Sequence, residues 1–296
     1  MNSNKKLYFK ILKVCLYIIL AVISFFMILP FMWMISISLR PTLGPIYQNF
    51  FALIPKNISM KPYIDVWLRV NFVRYFLNSV IYAGVSTILT IFFSTLGGYT
   101  FAQLRFPGRK ILFLLILFSM MIPPSTILIP QFLIVKFFPL AGGNNLLGQG
   151  GSGFVNTYAG LILPFLVTGF GIFLCRQFFL TLPADLRHSA KIDGCSEFRI
   201  FWQIMLPLAK PAVIALTIFT FTWRWNKLLW PLVVAQNEKM RVLAVALAVF
   251  RGERLAVDQW NEMMAAATIA ILPVALVFFL LQKHFTKGTA LTGIKG

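Results

Sequence analysis

The chain has 296 residues, of which 59% are hydrophobic and only 12% are charged, with a formal net charge of +19. A soluble domain carries about 25% charged residues, and its outside needs polar cover. This composition excludes a soluble globular protein, so the apolar excess must face lipid. The basic residues lie mostly between apolar runs, which indicates contacts with lipid headgroups and not with nucleic acid.

Six apolar stretches are each long enough to cross a bilayer as a helix, which takes about 20 residues. They are residues 14–36, 78–100, 111–134, 157–180, 211–235 and 264–283. The first follows a basic segment as a signal peptide would, but it is too long and no small-residue cleavage site follows, so we expect it to be retained. The sequence therefore predicts an all-α membrane protein, with a short N-terminal segment (1–13) and one six-helix domain (14–296).

The distribution of basic residues predicts the orientation of these spans. Six crossings place both termini on one side of the membrane. If that side is the cytoplasm, the N-terminal, 101–110, 176–210 and C-terminal segments hold more than half of the 27 Lys and Arg residues. This bias agrees with the rule that cytoplasmic loops are the more basic ones, so we expect both termini to be cytoplasmic.

The sequence lacks the residues that nucleotide binding, metal binding and ion coupling usually need. The chain has no Gly-Lys-Ser/Thr phosphate-binding loop, and the G-x-G-x-x-G spacing over 148–153 has no preceding strand. The cysteines follow no metal-ligand spacing, and no carboxylate lies well inside a predicted span. We therefore expect a transport subunit that is not an enzyme and binds no metal or cofactor. An ion-coupled secondary transporter remains the alternative, because carbonyls of broken helices can also bind sodium.

The loop over 181–210, between the fourth and fifth spans, carries the most specific pattern. Pro183 and Asp185 suit the first turn of a helix, and Gly194 suits its end at positive φ. A second helix is indicated by an apolar stripe at helical spacing: Phe198, Phe201, Trp202 and Met205. The stripe would suit a helix lying in the headgroup layer. The first helix is too polar and too short to be stable alone, so it needs a partner to dock on.

This loop resembles the cytoplasmic E-A-A loop of ABC-importer permeases in the maltose-type sugar branch, which reads E-A-A-x-x-D-G and ends in L-P-x-x-x-P. The residues in register are Ser189, Ala190, Asp193, Gly194, Leu206, Pro207 and Pro211. Two positions differ from the family pattern: His188 stands where the family usually has Glu, and Ser189 stands where it usually has Ala. Further similar stretches are Asn78-Ser79, Asn156-Thr157, Trp225-Asn226, Trp230-Pro231 and residues 288–296.

The resemblance implies a type I importer permease of a bacterial inner membrane, with a cytoplasmic coupling helix between the fourth and fifth spans. It also implies four kinds of partner: a second homologous permease, an ATPase dimer that binds ATP and Mg, an extracytoplasmic binding protein and a sugar. The expected ATPase-coupling residues are Arg187, His188, Ser189, Ala190, Lys191, Asp193 and Gly194. We expect the Asp193 carboxylate to accept backbone N–H bonds; a solvated face is the other interpretation of the charged residues.

A second group of residues suggests a path for the solute near the end of the fifth span: Trp223, Arg224, Asn226, Lys227 and Trp230. Helical spacing would place the two cations on one face and the two tryptophans on another. Aromatic rings suit the C–H surfaces of sugars and cations suit carboxylates. An acidic, uronate-containing oligosaccharide is one candidate solute, and the chain also resembles importers of alginate and other uronate oligomers. The alternative is interfacial anchoring by an aromatic belt and a snorkelling lysine.

Overall fold

The computed structural model of the protein describes residues 3–41, 54–55, 57–69, 71–253 and 260–290. Regular structure in these ranges is helical. The helices are α1 (Ser3–Ser38), α2 (Lys61–Arg69), α3 (Phe72–Gln103), α4 (Arg109–Met121), α5 (Leu128–Lys136), α6 (Tyr158–Ile162), α7 (Gly169–Thr181), α8 (Ala184–Ile192), α9 (Glu197–Ile200), α10 (Leu206–Leu208), α11 (Lys210–Trp225), α12 (Leu229–Val234), α13 (Leu243–Glu253) and α14 (Trp260–Ala290).

The chain divides into two compact units, of which the first comprises residues 1–72 and 247–271. Its α1 exposes apolar side chains along most of its length, as a helix does that faces lipid or another subunit. The end of α1 is anchored within the unit. The hydroxyls of Ser38 and Tyr63 share a 2.7 Å hydrogen bond, and Asn261 Nδ2 donates to the carbonyl of Arg40 at 3.0 Å.

The second unit, residues 73–246 and 272–296, is organised around α3. Buried hydroxyl side chains seven or four residues apart lie on one face of this helix and form a stripe: Ser79, Ser86, Thr90 and Ser94. At Gly98 an added Cβ would lie 2.5 Å from the Cβ of Cys175 on α7. The helices α3 and α7 are therefore in close backbone contact, which the small residues of α3 make possible.

Three of the predicted spans are single long helices. The stretches 14–36, 78–100 and 264–283 lie within α1, α3 and α14, and Pro273 does not interrupt α14. The stretch 157–180 consists of two helical segments, 158–165 and 169–181, that are bent by 44° relative to each other. The helix α11 makes an angle of 77° with the helical segment before it. By length and apolar character, the described residues contain three candidate spans, or five if each bent pair is one span.

Two further predicted spans are also divided between separate helices. The stretch 111–134 is divided between α4, which ends at Met121, and α5, which begins at Leu128. Pro123 and Pro124 lie in the break, because proline removes a backbone donor and clashes with the preceding turn. The stretch 211–235 is divided between α11 and α12. The sequence analysis did not predict α2 or α13.

The Gly/Asn-rich loop over residues 137–156 folds on itself. Asn144 Nδ2 donates to the carbonyls of Lys136 (2.9 Å) and Phe138 (3.0 Å), and its Oδ1 accepts from the N–H of Gly151 (2.8 Å). The glycines at 148, 150 and 153 all have positive φ. Their G-x-G-x-x-G spacing thus belongs to a series of tight turns.

Candidate functional site

The short helix α8 is the first element of the predicted coupling loop, and it ends in a tightly bonded cap. Gly194 has φ +79° and donates its N–H to the carbonyl of Lys191 at 3.0 Å. The N–H of Cys195 donates to the carbonyl of Ala190, also at 3.0 Å. These two bonds define a Schellman motif, in which the left-handed residue is normally glycine. The predicted helix end at Gly194 is therefore confirmed.

The two faces of α8 differ in exposure. Ala190 is buried in an apolar cluster with Tyr99, Phe179 and Ile200. Most other side chains of α8 are exposed, among them those of His188, Ser189 and Ile192, and so is that of the cap residue Asp193. The prediction for Asp193 was wrong, because within the described residues its carboxylate accepts no hydrogen bond. Its backbone N–H instead donates to the carbonyl of Ser189 at 3.0 Å.

Glu197 is a central residue of this loop that the sequence analysis missed. Its Oε2 accepts hydrogen bonds from Tyr99 Oη at 2.7 Å and from Arg187 Nε at 3.2 Å. Its Oε1 pairs with Lys191 Nζ at 2.9 Å and with the Nη2 of Arg187. Arg187 and Lys191 lie one helical turn apart on α8, so both reach the same carboxylate. We call Glu197, Arg187, Lys191 and Tyr99 the Glu197 cluster.

The charges of the Glu197 cluster stabilise one another. The hydrogen bond from Arg187 is the main cause that lowers the pKa of Glu197 to about 2; the bonds from Lys191 and Tyr99 add to it, while partial burial opposes it. The same pairing raises the pKa of Arg187. The Glu197 carboxylate and the Arg187 guanidinium are therefore both charged at neutral pH. It joins α8, α9 and the last turn of α3.

A π-helical turn over Phe201–Met205 follows α9 and divides the predicted apolar stripe. Phe201 and Met205 are buried, whereas the Phe198 and Trp202 side chains are 63% and 50% exposed. The exposed rings of Phe198 and Trp202 stack on each other with centroids 6.3 Å apart. The π-turn pairs residues five apart, so the 3.6-residue spacing no longer holds. The exposed Phe198 and Trp202 would suit contact with lipid headgroups, whereas Phe201 and Met205 belong to the core.

The predicted solute-path residues separate into two groups, of which the first is buried. The guanidinium of Arg224 stacks on the ring of Phe165 (4.3 Å from Cζ to the centroid) and donates from Nη2 to the Phe165 carbonyl at 3.3 Å. Trp230 is fully buried, and its ring lies 5.4 Å from that of Phe165 and nearly perpendicular to it. Phe165 therefore connects Arg224 with Trp230.

The second group is Trp223 and Asn226, which line an open groove, and the neighbouring Lys227. Lys227 Nζ lies 5.8 Å from the ring of Trp223, whose side chain is 57% exposed. A cavity of about 400 Å³ is lined by Phe170, Phe219, Thr222, Trp223 and Asn226. This volume is in the range of small-ligand sites. The groove thus combines an aromatic face, an amide and a nearby ammonium group.

Neither predicted face-sharing pair is present. Trp223 is exposed and Trp230 buried, and the cations Arg224 and Lys227 contact different rings. The reason is that α11 ends at Trp225, where the N–H of Asn226 donates to the carbonyl of Thr222 at 3.2 Å. Beyond that residue the chain leaves the helix, so helical spacing no longer sets the direction of a side chain.

The fold and the loop define a class of protein, and comparison with known families identifies it. Residues 94–290 match the family described as "Binding-protein-dependent transport system inner membrane component". This match covers more than half of the chain, so the protein belongs to that family. It is a membrane permease of an ABC importer, as the sequence resemblance implied.

Individual relatives agree with this assignment. The chain is 32% identical over 290 residues to the arabinooligosaccharides transport system permease protein AraQ of Bacillus subtilis (strain 168), covering 97% of this chain and 98% of the relative. It is 30% identical over 263 residues to the diacetylchitobiose uptake system permease protein NgcG of Streptomyces coelicolor, covering 88% and 82%. A bacterial ABC transporter structure involved in import of the acidic polysaccharide alginate has a chain that aligns with a TM-score of 0.76 at 24% identity, covering 96% and 99%. The structural likeness confirms the type I permease fold.

Proposed function

We propose that this chain forms half of the pathway of a binding-protein-dependent oligosaccharide importer and receives its driving force at α8 from a cytoplasmic ATPase. One observation carries the proposal: α8 is a short helix with one face packed on the core and the other exposed. Nine residues make a helix about 14 Å long, too short to be stable in isolation. Its exposed face, with Ile192 at 87% exposure, suits a cleft on a partner subunit.

The remaining parts of the importer follow from this assignment. A second, homologous permease completes the pathway, and the apolar outside of α1 offers a surface for it or for lipid. Six crossings result if α4 and α5 together make the third and α11 with α12 makes the fifth. Both termini and α8 then lie in the cytoplasm, and ATP and Mg bind to the ATPase subunits. The oligosaccharide class is supported by what the relatives named above are described as transporting.

The proposal is tested in proteoliposomes that contain this permease, its partner permease and the ATPase, with the binding protein added outside. We expect ATP-dependent uptake of a labelled oligosaccharide only when every component is present. Proteoliposomes with this chain alone and an imposed proton or sodium gradient are the matched control. Uptake in that control would replace the proposal with the ion-coupled secondary transporter.

An acidic oligosaccharide is favoured as the solute by the groove at the end of α11. Lys227 is the cation beside its aromatic wall, and an ammonium group there would pair with a uronate carboxylate. We expect Lys227→Gln to raise the half-saturating concentration of a uronate oligomer about fivefold, as loss of one partly exposed ion pair would. The value for a neutral arabinose oligomer should not change. Equal effects on both solutes would remove the acidic-sugar assignment and leave the importer function in place.

A further inference from the structure

We infer that Glu197 is a positioning residue that fastens the coupling segment, residues 183–208, to the end of α3. The inference rests on the proposed function, because it concerns how movement of α8 reaches a membrane-spanning helix. Glu197 itself touches no solute and no nucleotide. Its role is to hold α8 at one angle relative to α3, so that the two move together.

The geometry brings donors from two separate helices to one carboxylate. Tyr99 comes from the last turn of α3, 98 residues before Glu197 in the chain, while Arg187 and Lys191 come from α8. Arg187 uses two nitrogens on the two carboxylate oxygens, a geometry that fixes direction as well as distance. A single acidic side chain thus receives hydrogen bonds from both helices that have to stay in register.

The tyrosine end of this connection is held by packing. The ring of Tyr99 lies 5.7 Å from that of Phe179 and 5.3 Å from that of Phe201, and the residue is 2% exposed. Its hydroxyl therefore has little freedom to follow Glu197 if α8 moves independently. A force on α8 is transmitted to α3 through the carboxylate and does not only shift one side chain.

Apolar packing alone would not set the angle of α8. The contact of α8 with the core at this point is made by Ala190, a small side chain that allows α8 to rotate over its neighbours. Apolar contacts are non-directional, whereas a bidentate ion pair is directional. Without Glu197 we expect α8 to remain folded but to slip when the ATPase pulls on it.

The test measures solute transported per ATP hydrolysed in the assembled importer, for Glu197→Gln and Tyr99→Phe. A hydrogen bond to a charged group changes an equilibrium by about tenfold or more, so Glu197→Gln should lower the ratio about tenfold. Tyr99→Phe, which leaves the ion pairs intact, should lower it about threefold. The matched control is Tyr82→Phe, because Tyr82 is a buried tyrosine of α3 whose side chain interacts with Arg224 and not with the Glu197 cluster. The control should keep the wild-type ratio.

A second readout follows the position of α8 directly. Spin labels at Ile192→Cys and Arg105→Cys, two exposed positions, report the distance between α8 and the chain just after α3 in a cysteine-free background of the same complex. We expect a narrow distribution in the parent protein and a broad one with Glu197→Gln. A wild-type transport ratio together with a narrow distribution in that variant would overturn the inference, while ATP-driven uptake by the unmodified importer would still uphold the proposed function. If the unmodified importer fails to transport, the proposed function fails, and the distance measurement alone then decides whether Glu197 fastens α8.

Discussion

The two ends of α3 are both tied to distant segments through a tyrosine hydroxyl and a glutamate, but the surroundings differ. At the N-terminal end, Tyr75 donates to Glu238 Oε1 at 2.8 Å, and the buried Asn78 donates to the carbonyls of Lys239 (3.0 Å) and Arg241 (2.8 Å). At the C-terminal end, Tyr99 and two cations converge on Glu197. One end is held mostly through backbone carbonyls and the other mostly through side-chain charge.

This difference indicates which end of α3 transmits movement. Bonds from a buried amide to backbone carbonyls are costly to break, because each unpaired group keeps its full desolvation penalty. The partly exposed ion pairs at the other end contribute less to stability, but the bidentate pair of Arg187 with Glu197 sets a direction, as the transmission of movement requires. We therefore interpret the N-terminal end of α3 as a fixed anchor and the C-terminal end as the connection through which α8 acts.

The largest effect should come from Gly194→Pro, which breaks the C-terminal connection at its turn. Proline requires φ near −65°, whereas Gly194 has φ +79°, and the substitution also removes the N–H bonded to Lys191. We expect stimulation of ATPase activity by the binding protein to be lost, with membrane insertion of the permease unchanged. Both are measured on the assembled complex.

Gly194→Ala is the matched control for that variant. An added Cβ would meet nothing within 4 Å, so the cost is only that of positive φ, about 1–2 kcal/mol. An intermediate loss of stimulation is expected. Normal stimulation in Gly194→Pro would show that the turn is not needed for coupling.

At the N-terminal end, Asn78→Ala should lower stability and not coupling. Asn78 is 3% exposed, and its Oδ1 also accepts from Tyr158 Oη at 2.6 Å, so three partners lose their bonds. We expect a loss of about 2–4 kcal/mol, measured as a lower thermal midpoint of the purified permease. Transport per ATP should stay at the wild-type value in the remaining folded protein. A variant with wild-type stability but poor coupling would reverse our assignment of the two ends.

Within the Glu197 cluster, Arg187→Met should have a larger effect than Lys191→Met. The Arg187 side chain is 18% exposed and bonds both carboxylate oxygens, whereas that of Lys191 is 49% exposed and bonds one. We expect a several-fold fall in transport per ATP for the former and less than twofold for the latter. Equal effects at low salt would mean that net charge, and not geometry, matters here.

The smallest effect expected is that of pH. The pKa of Glu197 is lowered from 4.5 to about 2, so the stability from its pairing is complete above about pH 4.5 and is lost as the pH falls toward 2. The difference in unfolding free energy between the parent protein and Glu197→Gln should be constant between about pH 6 and 8, as read from chemical denaturation in detergent. A difference that changes within that window would mean that another group controls the cluster.

The sequence predicted the features that depend on local pattern. The long apolar helices α1, α3 and α14 follow from composition, and the cap at Gly194 follows from the need for positive φ at the end of a short helix. These features are readable because each depends on residues close together in the chain.

What the sequence could not predict depends on long-range contacts or on breaks in helical spacing. Nothing in the spacing links Glu197 to Tyr99, although an acid directly after the cap residue Ser196 was a visible signal for the helix start. The π-turn after α9 and the end of α11 at Trp225 changed which side chains share a face. The prediction that Trp223 and Trp230 share one helical face was therefore wrong, because it assumed an unbroken helix.

Site-specific cross-linking would show directly whether the exposed face of α8 meets the ATPase. A photo-reactive residue at Ile192, which is 87% exposed on α8, should cross-link to the ATPase subunit in the assembled complex. The same residue at Leu147, 79% exposed in the loop over 137–156, should not. Cross-linking to the ATPase from Leu147 and not from Ile192 would contradict the account.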